Sequence, residues 1–299
     1  MWVLLAFLSA ALLGFYDVFK KLGVTKNAVI PVLFLNTLFC SLIFTPFIIL
    51  SNTSPDMMRE TLFYVPGESM HVHLYIILKS VIVLTSWLFA YYAMKHLPIT
   101  LSSPIKASQP VLTLLGALCI YGERLNPMQW IGVSIALLSF YLLSLSGKKE
   151  GIVFRNNKWV WFMVLSIISG SMSGLYDKFL MARFDRMTVL SYYSFYQAII
   201  MFIVMMTIWY PRRKENTPFK WSWAIPFISL FLCAADFAYF FALSTEGSMI
   251  SLVSMIRRSG VLVSFGFGAL LFREKNLKSK VIDLILIFIG MLFIYFGSK

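Results

Sequence analysis

The sequence predicts an all-α polytopic membrane protein, with ten transmembrane helices arranged as two inverted five-helix repeats. Apolar runs of about 20 residues recur from end to end, and each suffices to cross about 30 Å of hydrocarbon as a helix. Hydrophobic residues make up 59% of the 299 residues and charged residues 13%, with a mean hydropathy of +0.79. A soluble domain carries about 25% charged residues. Short sequence matches also recur in the same order in the two halves of the chain.

Charge, Pro and Gly divide the chain into spans at 2–20, 28–50, 74–94, 99–120, 128–146, 159–181, 188–210, 223–243, 249–272 and 279–296. The first lacks a basic n-region and is followed by further spans, so it reads as a retained helix and not as a signal-peptide core. The second runs into the longest connection, 51–73, whose Pro55, Pro66 and Gly67 mark an external or re-entrant loop. The third closes at Lys95, and Lys79 near its start is expected to snorkel towards the surface. Pro104 and Pro110 interrupt the fourth and free backbone carbonyls, which is tolerable only where protein or water satisfies them. The fifth ends before the basic loop of Lys148, Lys149, Arg155 and Lys158. In the sixth, Gly170, Ser171, Ser173 and Gly174 suit tight helix contact. The seventh closes before Arg212, Arg213 and Lys214; the eighth carries Asp236; the ninth carries Arg257 and Arg258; the tenth ends the chain.

The repeat rests on particular residues. Tyr16-Asp17 near the end of span one matches Tyr176-Asp177 near the end of span six, and Phe89-Ala90-Tyr91-Tyr92 matches Phe237-Ala238-Tyr239-Phe240. Residues 103–131 align without gaps on 254–282, pairing Ile105 with Ile256, Lys106 with Arg257, Ser108 with Ser259 and Glu123 with Glu274. The halves are placed at 1–147 and 158–297. Five spans per half is an odd number, so the second half enters the membrane from the opposite side, as in inverted-repeat transporters with a midplane site. Loops after odd-numbered spans hold most of the 26 Lys and Arg, which puts both termini outside the cytoplasm. The expected location is a bacterial inner membrane. Basic residues spread over short loops form no single patch, so nucleic acid is not an expected partner despite a net charge of +13.

Cations inside apolar spans are costly and mark functional paths. Counting 1.5 Å per residue, Lys106 lies about 10 Å from one surface and Arg257 about 12 Å from the other, leaving their Cα levels roughly 8 Å apart across the midplane. Both become candidate substrate-binding residues for an anion; the alternative is structural pairing, for instance with Asp236. Arg258 is a weaker candidate, since adjacent helix positions point about 100° apart. Asp236 is a candidate coupling or counter-ion group. Asp17 and Asp177 are either gates or proton-coupling carboxylates, or span-end partners of Lys20, Lys21 and Lys178. Tyr91 and Tyr239 line a pocket or pack in the core. Glu123 and Glu274 are explained as helix ends.

Cys40, Cys119 and Cys233 fall in apolar runs as small buried hydrophobes. His71, His73 and His96 have no spacing for a metal, and no hydrolase, metalloprotease or phosphate-loop motif occurs. No enzyme activity, metal or cofactor is expected.

Pro110 precedes Thr113-Leu114-Leu115-Gly116, then Tyr121-Gly122-Glu123-Arg124-Leu125 and Gln129-Trp130-Ile131-Gly132. With the repeat, this pattern resembles the EamA-like transporters of the drug/metabolite transporter superfamily over essentially the whole chain. The second copy, Phe272-Arg273-Glu274-Lys275 followed by Gly290, departs from it, with Val261 in place of the proline and Asp283 in place of Gly132. The resemblance implies two inverted five-helix halves around a central cavity and transport of amino acids, other metabolites, nucleotide sugars, sugar phosphates or drugs. Branches that carry sugar phosphates and nucleotide sugars are similar in holding anions with basic residues of late helices, which by analogy favours Arg257.

The expected function is therefore secondary transport of a small anionic or zwitterionic metabolite by alternating access, with lipid as surroundings and protons as a candidate coupling ion. The alternatives are a proton-coupled exporter of cationic or neutral compounds using Asp236, and a membrane enzyme gripping a lipid-linked phosphate.

Overall fold

A computed structural model describes residues 2–109, 111–113, 115–116, 126–148, 153–215, 217–245, 253, 256–272 and 277–297. Pro110, Leu114, Cys119, the Tyr121 to Leu125 motif, Glu274 and its neighbours Arg273 and Lys275 lie outside the described residues. Regular structure among the described residues is helical: α1 (Trp2–Val24), α2 (Val29–Thr53), α3 (Pro55–Arg59), α4 (Met70–His96), α5 (Ile99–Ala107), α6 (Pro127–Lys148), α7 (Lys158–Met181), α8 (Arg186–Val204), α9 (Ala224–Ser244), α10 (Gly260–Phe272) and α11 (Leu277–Gly297). A π turn, Met205–Trp209, extends α8.

Six of these are long and apolar enough to cross a membrane: α1, α2, α4, α7, α8 with its π turn, and α9. Their outward faces carry large apolar side chains such as Leu4, Leu74, Ile203 and Leu230. The interior is comparatively polar, with Ser9, Asn36, Ser80, Ser191, Ser194 and Gln197 all buried. This is a membrane pattern, in which small and polar side chains join helices while apolar ones face lipid.

The expected span ends shift at one informative place. The first helix does not stop at Lys20 but runs to Val24. Both lysines are consumed internally: Lys20 Nζ donates to Asp17 Oδ1 at 2.7 Å, and Lys21 Nζ donates to the carbonyls of Met94 and Leu97, each at 2.6 Å. Those carbonyls end α4 and lack helical partners, so a cation there satisfies them and complements the dipole. Elsewhere helix starts follow local chemistry. Asp185 caps α8 by accepting from the amides of Met187 and Thr188 at 2.7 and 3.0 Å, and Asn157 caps α7 through the Trp159 amide.

Each long helix finds its main partner in the other half: α1 packs along α9, α4 along α7, α2 along α8, and α6 along α11. Serine hydroxyls stitch these pairs. Ser9 donates to the Ala235 carbonyl at 2.7 Å, Ser86 to Ser166 at 2.8 Å, Ser229 to Asn36 at 3.1 Å and Ser139 to Asp283 at 2.5 Å. Such a bond across helices contributes about 1 kcal/mol. At the crossing of α1 and α10 the backbones touch. A Cβ on Gly260 would stand 2.1 Å from the Ala10 carbonyl oxygen, and one on Gly14 would stand 2.6 Å from the Gly260 carbonyl oxygen. Only glycine permits that approach.

Candidate functional site

Ile105-Lys106-Ala107-Ser108 and Ile256-Arg257-Arg258-Ser259 sit at matching helix breaks. α5 ends at Ala107 and the chain turns at Ser108; in the second half, residues 256–258 are helical, Ser259 turns and α10 begins at Gly260. The breaks share one hydrogen-bond pattern. Ser108 Oγ donates to the Ile105 carbonyl at 2.7 Å while its amide reaches the same oxygen at 3.2 Å. Ser259 does the same to Ile256 at 2.7 and 2.9 Å. A serine hydroxyl competing for the carbonyl three residues back is a local alternative to the helix ladder. The serine conserved between the repeats thus marks the break, and the basic residues fall just ahead of it.

Between the halves lies a cavity of about 130 Å³. Lys20 of α1, Lys79 of α4, Lys106 of α5, and Arg257 and Arg258 line it, together with Asp177 and Asp236. Asp17 is buried behind Lys20 and Lys106. Lys106 Nζ donates to both oxygens of Asp17, at 2.8 and 2.9 Å. Lys79 pairs with Asp177 across the two halves, and Arg257 pairs with Asp236 within the second. Tyr193 Oη donates to the other oxygen of Asp236 at 2.5 Å.

Aromatic rings lie against these cations. Arg257 lies 4.0 Å from the Tyr239 ring centroid, Lys20 4.4 Å from Tyr16, and Lys79 5.0 Å from both Tyr193 and Phe240. Ring faces attract cations and supply partial compensation where water is scarce. Gln109, Ser173 and Gly174 add polar and open wall. A Cβ on Gly170 would meet the Gln109 amide nitrogen at 2.8 Å, and Ser171 Oγ donates to the Gln109 carbonyl at 3.2 Å. The small residues of span six therefore hold the α5 break close to α7.

The repeat alignment pairs Asp17 with Asp177 and Lys106 with Arg257, but the ion pairs are not repeated. Asp236 has no acidic counterpart in the first half, where Leu88 occupies the equivalent position. Arg257 takes Asp236, and Asp177 takes Lys79 of the opposite half.

Among the residues singled out from sequence, Lys106, Arg257, Arg258, Asp177, Asp236 and Tyr239 all line the cavity. Tyr91 stands outside the lining, fully buried with its ring 5.3 Å from the Lys20 ammonium. Asp17 is not at a surface: it is 4% exposed and bound to two lysines. Arg258 reaches the cavity beside Arg257 although adjacent helix positions point about 100° apart. The snorkelling expected of Lys79 is overturned, since it is 2% exposed and points inward to Asp177. Lys20, Lys79, Tyr16 and Tyr193 were not foreseen as part of the site. The histidines stay outside it: His73 Nδ1 lies 3.0 Å from Tyr196 Oη, and His96 stacks on Trp159.

Fold and interior together define an integral, multi-pass helical membrane protein with an ionised cavity between two related halves. The EamA-like transporter family matches the chain twice, over residues 1–145 and 157–296, and the chain belongs to that family. A crystal structure described only as that of a protein superposes with a TM-score of 0.65 at 14% identity, covering 98% of this chain and 95% of that one. At that identity the likeness carries the fold alone. Among curated proteins no sequence matches this chain.

Proposed function

We propose that the chain is a ten-span secondary transporter, its five-helix halves inverted, that moves a small anionic or zwitterionic metabolite by alternating access through the central cavity. The family's transporter character and its two matches support the two-half organisation. The six long apolar helices supply spans one, two, three, six, seven and eight. The broken α5 and α10 regions occupy positions four and nine, and α6 and α11 positions five and ten.

The observation that carries the substrate reading is the surplus of cations around a cavity between the halves. Ionised groups at membrane depth that face a cavity mark substrate paths, and discontinuous helices at that depth are a recurrent way of building the site. When one half rocks against the other, a site at their interface opens to each side in turn. The positive-inside bias favours an orientation with both termini outside the cytoplasm of a bacterial inner membrane.

Reconstitution tests this. Lys106→Ala leaves Asp17 paired with Lys20, and Arg257→Ala leaves Asp236 hydrogen-bonded to Tyr193, so both variants should fold. Each should abolish transport of an anionic substrate in liposomes. Wild-type rates in both variants would remove Lys106 and Arg257 from the site.

A further inference from the structure

The ion pairs around the cavity do not balance, and we infer the charge of the ligand from the remainder: the cavity takes a small dianion, and Arg258 sets that preference. This deepens the anion-transport reading and rests on it. Among the described residues, Lys20, Lys79, Lys106, Arg257 and Arg258 face three carboxylates, Asp17, Asp177 and Asp236. Asp17 serves two lysines at once, because Lys20 and Lys106 both bind it. Arg258 forms no ion pair among the described residues, and its buried Nε has no hydrogen-bond partner; the Nε of Arg257 is likewise unpartnered.

Two formal positive charges are therefore left over in the interior of a membrane protein. Unpartnered charge is the expensive condition there, and a paired, hydrogen-bonded one the tolerable condition. A ligand carrying two negative charges neutralises the site. A monoanion leaves one cation uncompensated, and a trianion adds an uncompensated negative charge. Guanidinium donors form a planar fork that matches a carboxylate or a phosphate in bidentate fashion. A cavity of about 130 Å³ has room for a small molecule, since a protein cavity of roughly 150 Å³ holds one benzene ring. A dicarboxylate and a phosphomonoester share the required charge and size.

Calorimetric titration of the full-length protein in phosphatidylcholine nanodiscs, at fixed ionic strength and above the second phosphate ionisation near about 6, separates these cases. Two pairs of probes differ by one charge at nearly constant shape: succinate against succinamate, and methyl phosphate against dimethyl phosphate. The dianion of at least one pair should bind about tenfold or more tightly than its monoanion, and the pair that shows it names the source of the charge. Arg258→Gln should weaken the dianion about ten- to hundredfold and leave the monoanion within a few-fold, erasing the preference. Arg258→Lys, which keeps the charge, should retain it and controls for misfolding. Equal binding of monoanion and dianion by the wild type, or an unchanged ratio in Arg258→Gln, overturns the charge count while leaving anion transport standing. Absence of binding by any anion overturns both.

Discussion

Lys79→Met removes the cationic partner of Asp177 while keeping most of the side-chain volume. Lys79 and Asp177 form an ion pair that joins the two halves, and their side chains are 3% and 10% exposed. In the variant Asp177 stays buried and loses its direct ionic partner. Breaking a buried pair from one side costs about 3–5 kcal/mol, because a charge is left uncompensated. Replacing both partners by apolar groups is often near neutral or stabilising by about 1–4 kcal/mol. The double variant Lys79→Met/Asp177→Leu should therefore be more stable than either single one by about 3 kcal/mol or more, a non-additivity that the double-mutant cycle isolates. Equilibrium unfolding in mixed micelles, followed by helical circular dichroism, measures all four corners. A single variant within about 0.5 kcal/mol of wild type, inside the ordinary range for surface substitutions, would refute the reasoning. So would a double variant no more stable than the single.

Gly260→Ala should destabilise by about 1–3 kcal/mol in the same unfolding assay, because its Cβ would meet the Ala10 carbonyl oxygen at 2.1 Å and a backbone atom cannot rotate away. Gly266→Ala in the same helix meets nothing within 4 Å and should be neutral or stabilising by about 0.5–1 kcal/mol. Ser108→Ala and Ser259→Ala each lose the 2.7 Å hydroxyl bond at a helix break and should cost about 0.5–1.5 kcal/mol apiece. Threonine at either position keeps the hydroxyl and should recover most of that stability.

Lys106 and Arg257 were legible as one site because the repeat equates them, and both line the cavity. The rest of the site was hidden for identifiable reasons. Lys20 looked like the charge that ends a span, and only the partners supplied by Asp17 and α4 make it an interior residue. Lys79 stood close enough to a span start for its stem to reach water, and nothing local pointed to Asp177 nearly a hundred positions away. Arg258 ranked below Arg257 on the roughly 100° between adjacent helix positions, yet both line the cavity. Tyr91 and Tyr239 are equivalent in the repeat but not in the fold, since Tyr239 lies under Arg257 and Tyr91 lies behind Lys20. Sequence symmetry predicts where related residues stand in each half. It does not predict their partners once Asp236 has entered one half alone.

The way the helices pair also governs how the chain can be made. Since α1, α2 and α4 each lie chiefly against a helix of the second half, and α6 lies against α11, the first half emerges during synthesis with its mating faces open to lipid. Serines such as Ser9, Ser86 and Ser139 then wait in hydrocarbon without the carbonyls they later bind. The wait is longest for α6, whose companion α11 is the last of the described helices to emerge.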